Sequence, residues 1–373
     1  MKVRCSRNQL APAVAHLGRI VPARTALPIL NGLLVTAEED RLILQSTDLE
    51  LSLTIAVPAQ VEIQGKTVVL TRPFDNLVRR LPEGELNLVW SEINQQVEIC
   101  YNQGRTFINT WPASDYPSLL QNPAGEGIII EGSKWKNIIK KVLFAAAPQE
   151  VRPQFAGVYF QLKEECLTLV ATDTYRLALF QLPFPGSRTA DLFIPVRALG
   201  EVNRLLEDKE QLEISWEQNM ISFQTPRFTL TTRLLESQFP AYEKVIPEKD
   251  ELSVEVERAK LISALERASL FIAPPETYAV AELKVEAASI QLTAQALQVG
   301  SLSEEIPLKS APAGEGQASF NAHFLLEPLR VMESREITLS LNGSQGPAIC
   351  REEDGGSYLH LVLPVCRTSD GVP

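Results

Sequence analysis

Two stretches of the chain alternate apolar and polar residues in the same way. Phe155 to Leu179 reads FAGVYFQLKEECLTLVATDTYRLAL, and Ile29 to Leu53 reads ILNGLLVTAEEDRLILQSTDLELSL. Each alternates with a period of two, breaks at a charged turn and alternates again. That pattern predicts two antiparallel strands. In both, fourteen residues separate a Gly from a Thr-Asp pair: Gly32 from Thr47-Asp48, and Gly157 from Thr172-Asp173. The copies lie 125 residues apart in a chain of 373, about a third of its length, so the period predicts a third copy. It falls at 279–294, AVAELKVEAASIQLTA, aligned through Leu44, Leu169 and Leu292. Gln295 stands there in place of Thr47 and Thr172, so the third copy has lost the Thr-Asp.

Six stretches carry a helical period instead. They are 6–19, 72–80, 133–147, 195–206, 257–273 and 321–332. Ser6 stands where an N-cap would, ahead of a stripe of Leu10, Val14 and Leu17. Pro73 sits at a helix start, whereas Pro12 and Pro328 conflict with the helices that contain them. The 133–147 helix puts Trp135, Ile138, Ile139, Val142 and Leu143 on one face and its lysines opposite. Alternation also covers 57–70, 85–111, the stretch from the fourth helix to about Leu235, and 357–365. Polar, Pro-rich and Gly-rich segments at 121–127 and 247–251 read as linkers. Leu10, Trp135 and Leu261 keep the period in the first helices, and Arg72, Arg197 and Asn321 keep it in the second. The expected fold is α+β, with three repeated units over 1–122, 126–247 and 251–373, each of two helices backed by antiparallel sheets.

Composition narrows the function classes. Apolar residues make up 45% of the chain, with no run long enough to span a membrane and no apolar stretch near the N-terminus that would make a secretory signal. Five scattered cysteines without metal spacing fit reduced thiols in a cytoplasmic protein. No metal, cofactor or membrane partner is expected. The sequence holds no GxxxxGK[ST], GxSxG or HExxH motif. Asp48 and Asp173 could be catalytic carboxylates or turn formers bonding nearby amides. The turn reading is the ordinary one for Thr-Asp at a strand end, and no enzyme is expected.

Charge is segregated. The net charge is −11, yet the six helical segments carry +10, which leaves −21 on everything else. Lysines on any one helix are what a solvated outer face would carry. The pattern over all six points to a basic face that meets phosphates without reading sequence, on a body that repels them.

The segments RTALPIL (24–30), STDLELSL (46–53), RLPEG (80–84), VATDTYRLA (170–178), FPAY (239–242), FNAHFLLEPL (320–329) and LVLPV (361–365) stand in order along the 125-residue period. In this order the chain resembles the bacterial sliding clamp, the beta subunit of DNA polymerase III, over essentially its whole length. The resemblance implies three clamp domains per chain and a closed ring formed by two chains head to tail, with helices lining the hole. It implies no catalysis, and sequence-independent tethering of the replicative polymerase to double-stranded DNA. It also implies short-peptide partners among the clamp loader, other polymerases and repair proteins.

By the same resemblance, DNA-facing residues are Arg24, Arg72, Arg79, Gln149, Arg152, Arg197 and Arg204. The partner-peptide groove comprises Thr172, Tyr175, Arg176, Leu177, Pro240, Val245, Leu361, Leu363, Pro364 and Val365, with one cationic rim residue. The homodimer interface sets Arg105 and Phe107 against Leu270 and Phe271, although Phe107 and Phe271 fit a plain core equally well. The chain departs from the family's usual residues at Pro153-Gln154, Thr174-Tyr175, Glu243-Lys244 and Cys366. The alternative function is a clamp-like interaction scaffold that does not load on DNA.

Overall fold

The computed structural model describes residues 1–125, 127–149, 151–186, 188–272, 278–353 and 356–365. Cys366 lies outside them. The chain divides into two compact units, Met1–Lys136 with Arg197–Leu234, and Asn137–Val196 with the chain from Leu235 onward.

Among the described residues the α-helices are α1 (Arg7–Ile20), α2 (Thr71–Arg80), α3 (Gly132–Val142), α4 (Val196–Leu205), α5 (Arg258–Ala268) and α6 (Ala322–Val331). Each follows a strand with no loop between. Lys2–Ser6 runs into α1, Gly65–Leu70 into α2, Ile128–Glu131 into α3, Ala190–Pro195 into α4, Leu252–Glu257 into α5 and Gly316–Asn321 into α6. The strands ahead of α1, α3 and α5 went unread in the sequence, because four to six residues are too few for alternation to stand out. Their partners define them: Lys2–Ser6 lies antiparallel to Glu85–Ser91, Ile128–Glu131 to Gln211–Glu217, and Leu252–Glu257 to Glu336–Leu341.

The first unit is built on a twelve-stranded sheet. Its middle is the hairpin Gly32–Glu38 and Arg41–Thr47, then Leu51–Ile63, then Phe228–Arg233 from the second repeat. The register Leu51↔Thr232 to Ile55↔Phe228 joins the repeats with backbone hydrogen bonds. Helix α1 packs on α2 and on the strands beneath. Leu10, Val14 and Leu17 are fully buried, as are Phe74 and Val78 of α2. Burial of each such side chain contributes about 1.5–3 kcal/mol.

The second unit holds an eight-stranded and a four-stranded sheet. In the larger one, Arg176–Pro183 pairs with Ser357–Val362 through Arg176↔Val362, Leu177↔Leu361 and Leu179↔Leu359. The smaller runs Gly300–Pro307, Ser289–Ala296, Val280–Val285, Gly316–Asn321. Helices α5 and α6 pack on each other.

Several helix ends differ from the sequence reading. Helix α1 starts after Ser6, whose hydroxyl makes no cap bond, and runs through Pro12; α6 runs through Pro328. Each proline deprives its helix of one internal bond. Helix α3 stops at Val142 and continues as a 3-10 turn, Leu143–Ala145. Helix α5 ends at Ala268 rather than 273, where the Ser269 hydroxyl donates to the Glu266 carbonyl at 2.7 Å and competes with the helical ladder.

The lysines of α3 do not all lie on an outer face. Lys141 falls three residues after Ile138, on the apolar side of the helix, and is fully buried. Its ammonium meets the Glu352 carboxylate at 2.9 Å, over the rings of Phe180 and Tyr358 at 5.2 and 5.7 Å. The other Glu352 oxygen accepts the amides of Glu333 and Ser334. Burial pushes the Glu352 pKa up, but those amides and Lys141 outweigh it and hold it below the ordinary carboxylate value. Its stabilising contribution is therefore present above the unfolded-state pKa and lost as pH falls through the lowered folded-state value.

Replacing Lys141 by Met strands a buried carboxylate. It should cost about 3–5 kcal/mol of stability in urea unfolding, and Lys141→Met/Glu352→Gln should recover at least half of that loss. Equal destabilisation by the single and double variants would show that the pair is not what holds this layer.

Candidate functional site

The two Thr-Asp copies are turns of the same geometry. In the first unit, the Thr47 hydroxyl donates to Leu51 O at 2.9 Å and accepts Leu49 N at 3.0 Å. Asp48 Oδ1 accepts the amides of Glu50 and Leu51 at 3.0 and 2.8 Å. In the second unit, the Thr172 hydroxyl donates to Arg176 O at 2.6 Å and accepts Thr174 N at 3.0 Å. Asp173 Oδ1 accepts Tyr175 N and Arg176 N at 2.9 and 3.0 Å. Leu49 and Thr174 both take φ of +80°, a strained value that the two side-chain caps over-determine. Both carboxylates are thus committed to turns, as their place at a strand end led us to expect.

The second turn presents Tyr175, which is 55% exposed, while Leu177 two residues on is buried. Leu363 N donates to Tyr175 O at 2.9 Å, so the exposed side chains of Tyr175 and Leu363 lie just beyond the paired ends of adjacent strands. Leu177 and Leu361 join Val170, Leu179, Ile349, Leu359 and Tyr242 in one buried cluster. Tyr242 opens the short 3-10 turn that ends at Val245, which is 53% exposed. Pro240 is exposed, Thr172 buried, and Pro364 and Val365 half-buried; Val365 N is held by Ser319 O at 2.7 Å. The result is a packed apolar floor with Tyr175, Pro240, Val245 and Leu363 exposed.

The floor contains residues that the sequence reading missed. Tyr159 stacks on Phe239 at 5.1 Å, and Phe193 meets Phe239 edge-on at 5.2 Å. Burial, with Glu243 nearby, pushes the Tyr242 hydroxyl up to about 12, so it stays neutral. The FPAY segment was the available signal, but only the fold shows that its two aromatics point into this floor.

Arg176 is not the rim cation. It is buried, with Nε on Asp173 Oδ2 at 3.0 Å, an ion pair to Glu327 and a hydrogen bond to Phe144 O at 2.6 Å. Its guanidinium also lies over the Phe324 ring at 4.4 Å. Each of its three nitrogens has an acceptor, so it positions the turn. Arg152, expected to face DNA, lies against Tyr175. It lies over the Tyr175 ring at 5.0 Å, donates to Tyr175 Oη at 3.3 Å and to Asp173 O at 3.2 Å, and bonds Thr174 Oγ1.

The other residues expected to face DNA divide in two. Arg24, Arg72 and Gln149 are exposed. Arg79 is ion-paired with Asp75, and Arg204 with Glu201 at 2.6 Å, each within one helical turn. Arg197 pairs with Asp48 and donates to Ile20 O at 3.0 Å and Arg19 O at 3.2 Å, at the carbonyl end of α1. In α3, Lys136 pairs with Asp208 and Lys140 with Glu333.

The residues expected at a dimer interface sit by open strand edges. Gly104–Trp111 pairs along Gln96–Tyr101, but on its other side only Thr110 and Trp111 are paired. Phe107, on the open part, is 53% exposed and Arg105 is exposed, so Phe107 is not core. In the second unit Gly300–Pro307 is an edge strand. Leu270 is 71% exposed, and Phe271 is half-buried beside Gly300. Among the described residues no cluster of His, Cys, Asp and Glu could hold a metal ion, and no helix is long and apolar enough to cross a membrane.

Repeated strand-to-helix units, an exposed apolar cluster over a packed floor and carboxylates committed to turns describe a repeat scaffold. Known proteins narrow this further. The N-terminal, central and C-terminal domain families of the DNA polymerase III beta subunit match residues 1–120, 129–241 and 243–366. The beta sliding clamp of Bacillus subtilis is 27% identical over 378 residues, covering 98% of this chain and 99% of that one. A beta sliding clamp of Staphylococcus epidermidis is 28% identical over 359 residues, covering 93% and 94%. The solved Bacillus subtilis DNA polymerase sliding clamp superposes with a TM-score of 0.92 at 26% identity over 98% of this chain and 99% of its own. The DNA polymerase III subunit beta of Pseudomonas aeruginosa gives 0.88 at 26% identity over 98% and 100%.

The chain belongs to the DNA polymerase III beta subunit family, the bacterial sliding clamps. Its role is that of a sliding clamp in DNA replication, a processivity factor without a reaction of its own.

Asp173→Ala removes three hydrogen bonds from the second turn. It should cost about 1–3 kcal/mol and speed hydrogen exchange at the Tyr175 and Arg176 amides. Unchanged exchange at both amides would show that the carboxylate does not set the turn.

Proposed function

We propose that two copies of the chain close head to tail into a ring of six clamp domains around duplex DNA, with domains at 1–122, 126–247 and 251–373. The observation that carries this reading is the pair of open strand edges, Gly104–Asn109 in one unit and Gly300–Pro307 in the other. An exposed edge flanked by Phe107, or by Leu270 and Phe271, is a template for a further strand. Pairing the first edge with the second of another copy satisfies both, and two such joints close the ring.

Inside the ring, Arg24, Arg72, Arg79, Gln149 and Arg204 meet phosphates without reading bases. Arg197 acts by fixing the end of α1, and Arg152 serves at the rim of the groove. The topological link holds the protein on DNA while the individual phosphate contacts stay weak enough to slide. The groove takes short, partly apolar peptides from the replicative polymerase, the clamp loader and other polymerases and repair proteins. Tethering raises the polymerase's effective concentration at the primer end. The ring works in the cytoplasm.

Loaded by its clamp loader onto nicked circular DNA, the protein should stay bound through a high-salt wash and leave once the circle is linearised. Arg24→Glu/Arg72→Glu should reduce the loaded fraction several-fold, as expected when phosphate contacts are lost. Protein that never stays on the circle would favour the scaffold that does not load on DNA. Phe107→Asp should weaken the dimer by at least about tenfold in sedimentation velocity, the scale of a hot-spot residue. A dimer of unchanged strength would move the interface away from this edge.

A further inference from the structure

In each Thr-Asp turn Oδ1 of the aspartate takes the turn amides, and in both units an arginine takes Oδ2. Asp48 Oδ2 pairs with Arg197, and Asp173 Oδ2 with Arg176 Nε at 3.0 Å. Each guanidinium then reaches a carbonyl where a helix ends. Arg197 Nη2 donates to Arg19 O at 3.2 Å and Ile20 O at 3.0 Å as α1 ends. Arg176 Nη2 donates to Phe144 O at 2.6 Å, in the 3-10 turn that ends α3. Arg19 and Phe144, like Asp48 and Asp173, are 125 residues apart. The acceptors therefore repeat, but the arginines do not. Arg197 lies in α4, whereas Arg176 lies in the turn itself and also pairs with Glu327 of α6. Either way, the second helix of the next repeat is tied to the turn and to the end of the preceding repeat's first helix. The Asp48 and Asp173 side chains are only 10% and 13% exposed, so salt screens these pairs less than surface pairs.

The third repeat has no such carboxylate. Thr47 faces Ser52 and Thr172 faces Leu177 across four turn residues, whereas Gln295 faces Ser301 across five. Those five, Ala296–Gly300, include no charged residue, and Leu297 and Val299 among them are exposed. In the head-to-tail ring, the repeat that follows the third is the first repeat of another copy. There Arg72 holds the place of Arg197. Each is the second residue of a ten-residue helix that continues directly from a strand. Arg72 is exposed and makes no ion pair among the described residues.

We infer, on the head-to-tail reading proposed above, that Thr-Asp and its arginine form a clasp between successive repeats. It closes both joints within the chain and is missing from the joint between copies. An arginine brought to Ala296–Gly300 gains no charge-assisted bond from a side chain there. Arg72 therefore keeps its donors for phosphate, while Arg197, its counterpart, commits them to Asp48 and to two carbonyls. The joint between copies is left to strand pairing and to apolar side chains such as Phe107, Leu270 and Phe271. It parts before the joints within the chain do.

The test follows dissociation of the full-chain dimer by subunit mixing between two differently labelled pools. Replacing Gln295–Val299 by Thr-Asp-Leu-Glu, the sequence of Thr47–Glu50, supplies the missing carboxylate. Mixing should slow at least about tenfold, the scale of one hydrogen bond to a charged group. Arg72→Ala added to that graft should restore the parent's rate. Arg72→Ala alone should leave the rate within about threefold of the parent's, as for an unpartnered surface residue. A graft that keeps the parent's circular dichroism but mixes at the parent's rate overturns the inference. So does mixing faster by about tenfold or more in Arg72→Ala alone. Arg197→Ala probes the clasp where it exists and covers the case of a graft that does not fold. It leaves the Asp48 Oδ1 bonds in place, and hydrogen exchange at the Phe228–Thr232 amides should quicken at least about tenfold. Unchanged exchange there would show that Arg197 does not hold the joint. A parent that does not dimerise would sink the head-to-tail reading itself, a result separate from any of these.

Discussion

The antiparallel pairing of Arg176–Pro183 with Ser357–Val362 is the constraint on which the rest of the second unit depends. It brings together strands separated by well over a hundred residues, and with them Leu177 and Leu361. It also sets the edge from which Leu363 reaches the Tyr175 carbonyl. The Thr172-Asp173 turn fixes where this pairing begins, and buried Arg176 ties the turn to Glu327 and to the carbonyl of Phe144. The buried cluster beneath Tyr175 and Leu363 is therefore a by-product of how two repeats are sewn into one sheet. The corresponding seam in the first unit, Leu51–Ile63 with Phe228–Arg233, is made by the same ladder with different side chains.

The repeat was legible because alternation and the Gly to Thr-Asp spacing survive in two copies, and the third copy keeps the alternation. Helix positions followed from period and register, and the two prolines within helices did not stop them. Other features depend on partners remote in sequence. Lys141 reads as one of four lysines on a surface helix until Glu352 closes over it. The helical period alone could have placed it beside Ile138, since three residues is nearly one turn. Arg176 reads as a rim charge until Asp173 and Glu327 account for its donors. Arg152 and Tyr175, 23 residues apart, meet only because the Pro153–Phe155 turn folds back toward the Thr-Asp loop.

Charge segregation also takes on a different meaning at the level of side chains. Several helix cations already have carboxylate partners: Arg79 has Asp75, Lys136 has Asp208, Lys140 has Glu333, Arg330 has Glu266 and Arg267 has Glu304. Exposed pairs of this kind are individually weak and screened by salt. A phosphate that meets such a helix exchanges one partner for another instead of neutralising a bare charge.

The loopless joints between strand and helix restrict how the chain can change length. One residue inserted at Ser6/Arg7, Leu70/Thr71 or Asn321/Ala322 would rotate the helix that follows by about 100° and carry its apolar stripe off the sheet. The hairpin turns bear no such coupling. At Glu39, Gln95, Glu164 and Gln218 the backbone takes positive φ in hairpin turns, and an added residue there would enlarge the bend. Drift in length is thus channelled to the turns. That fits a fold retained at a TM-score of 0.92 when only 26% of residues are shared.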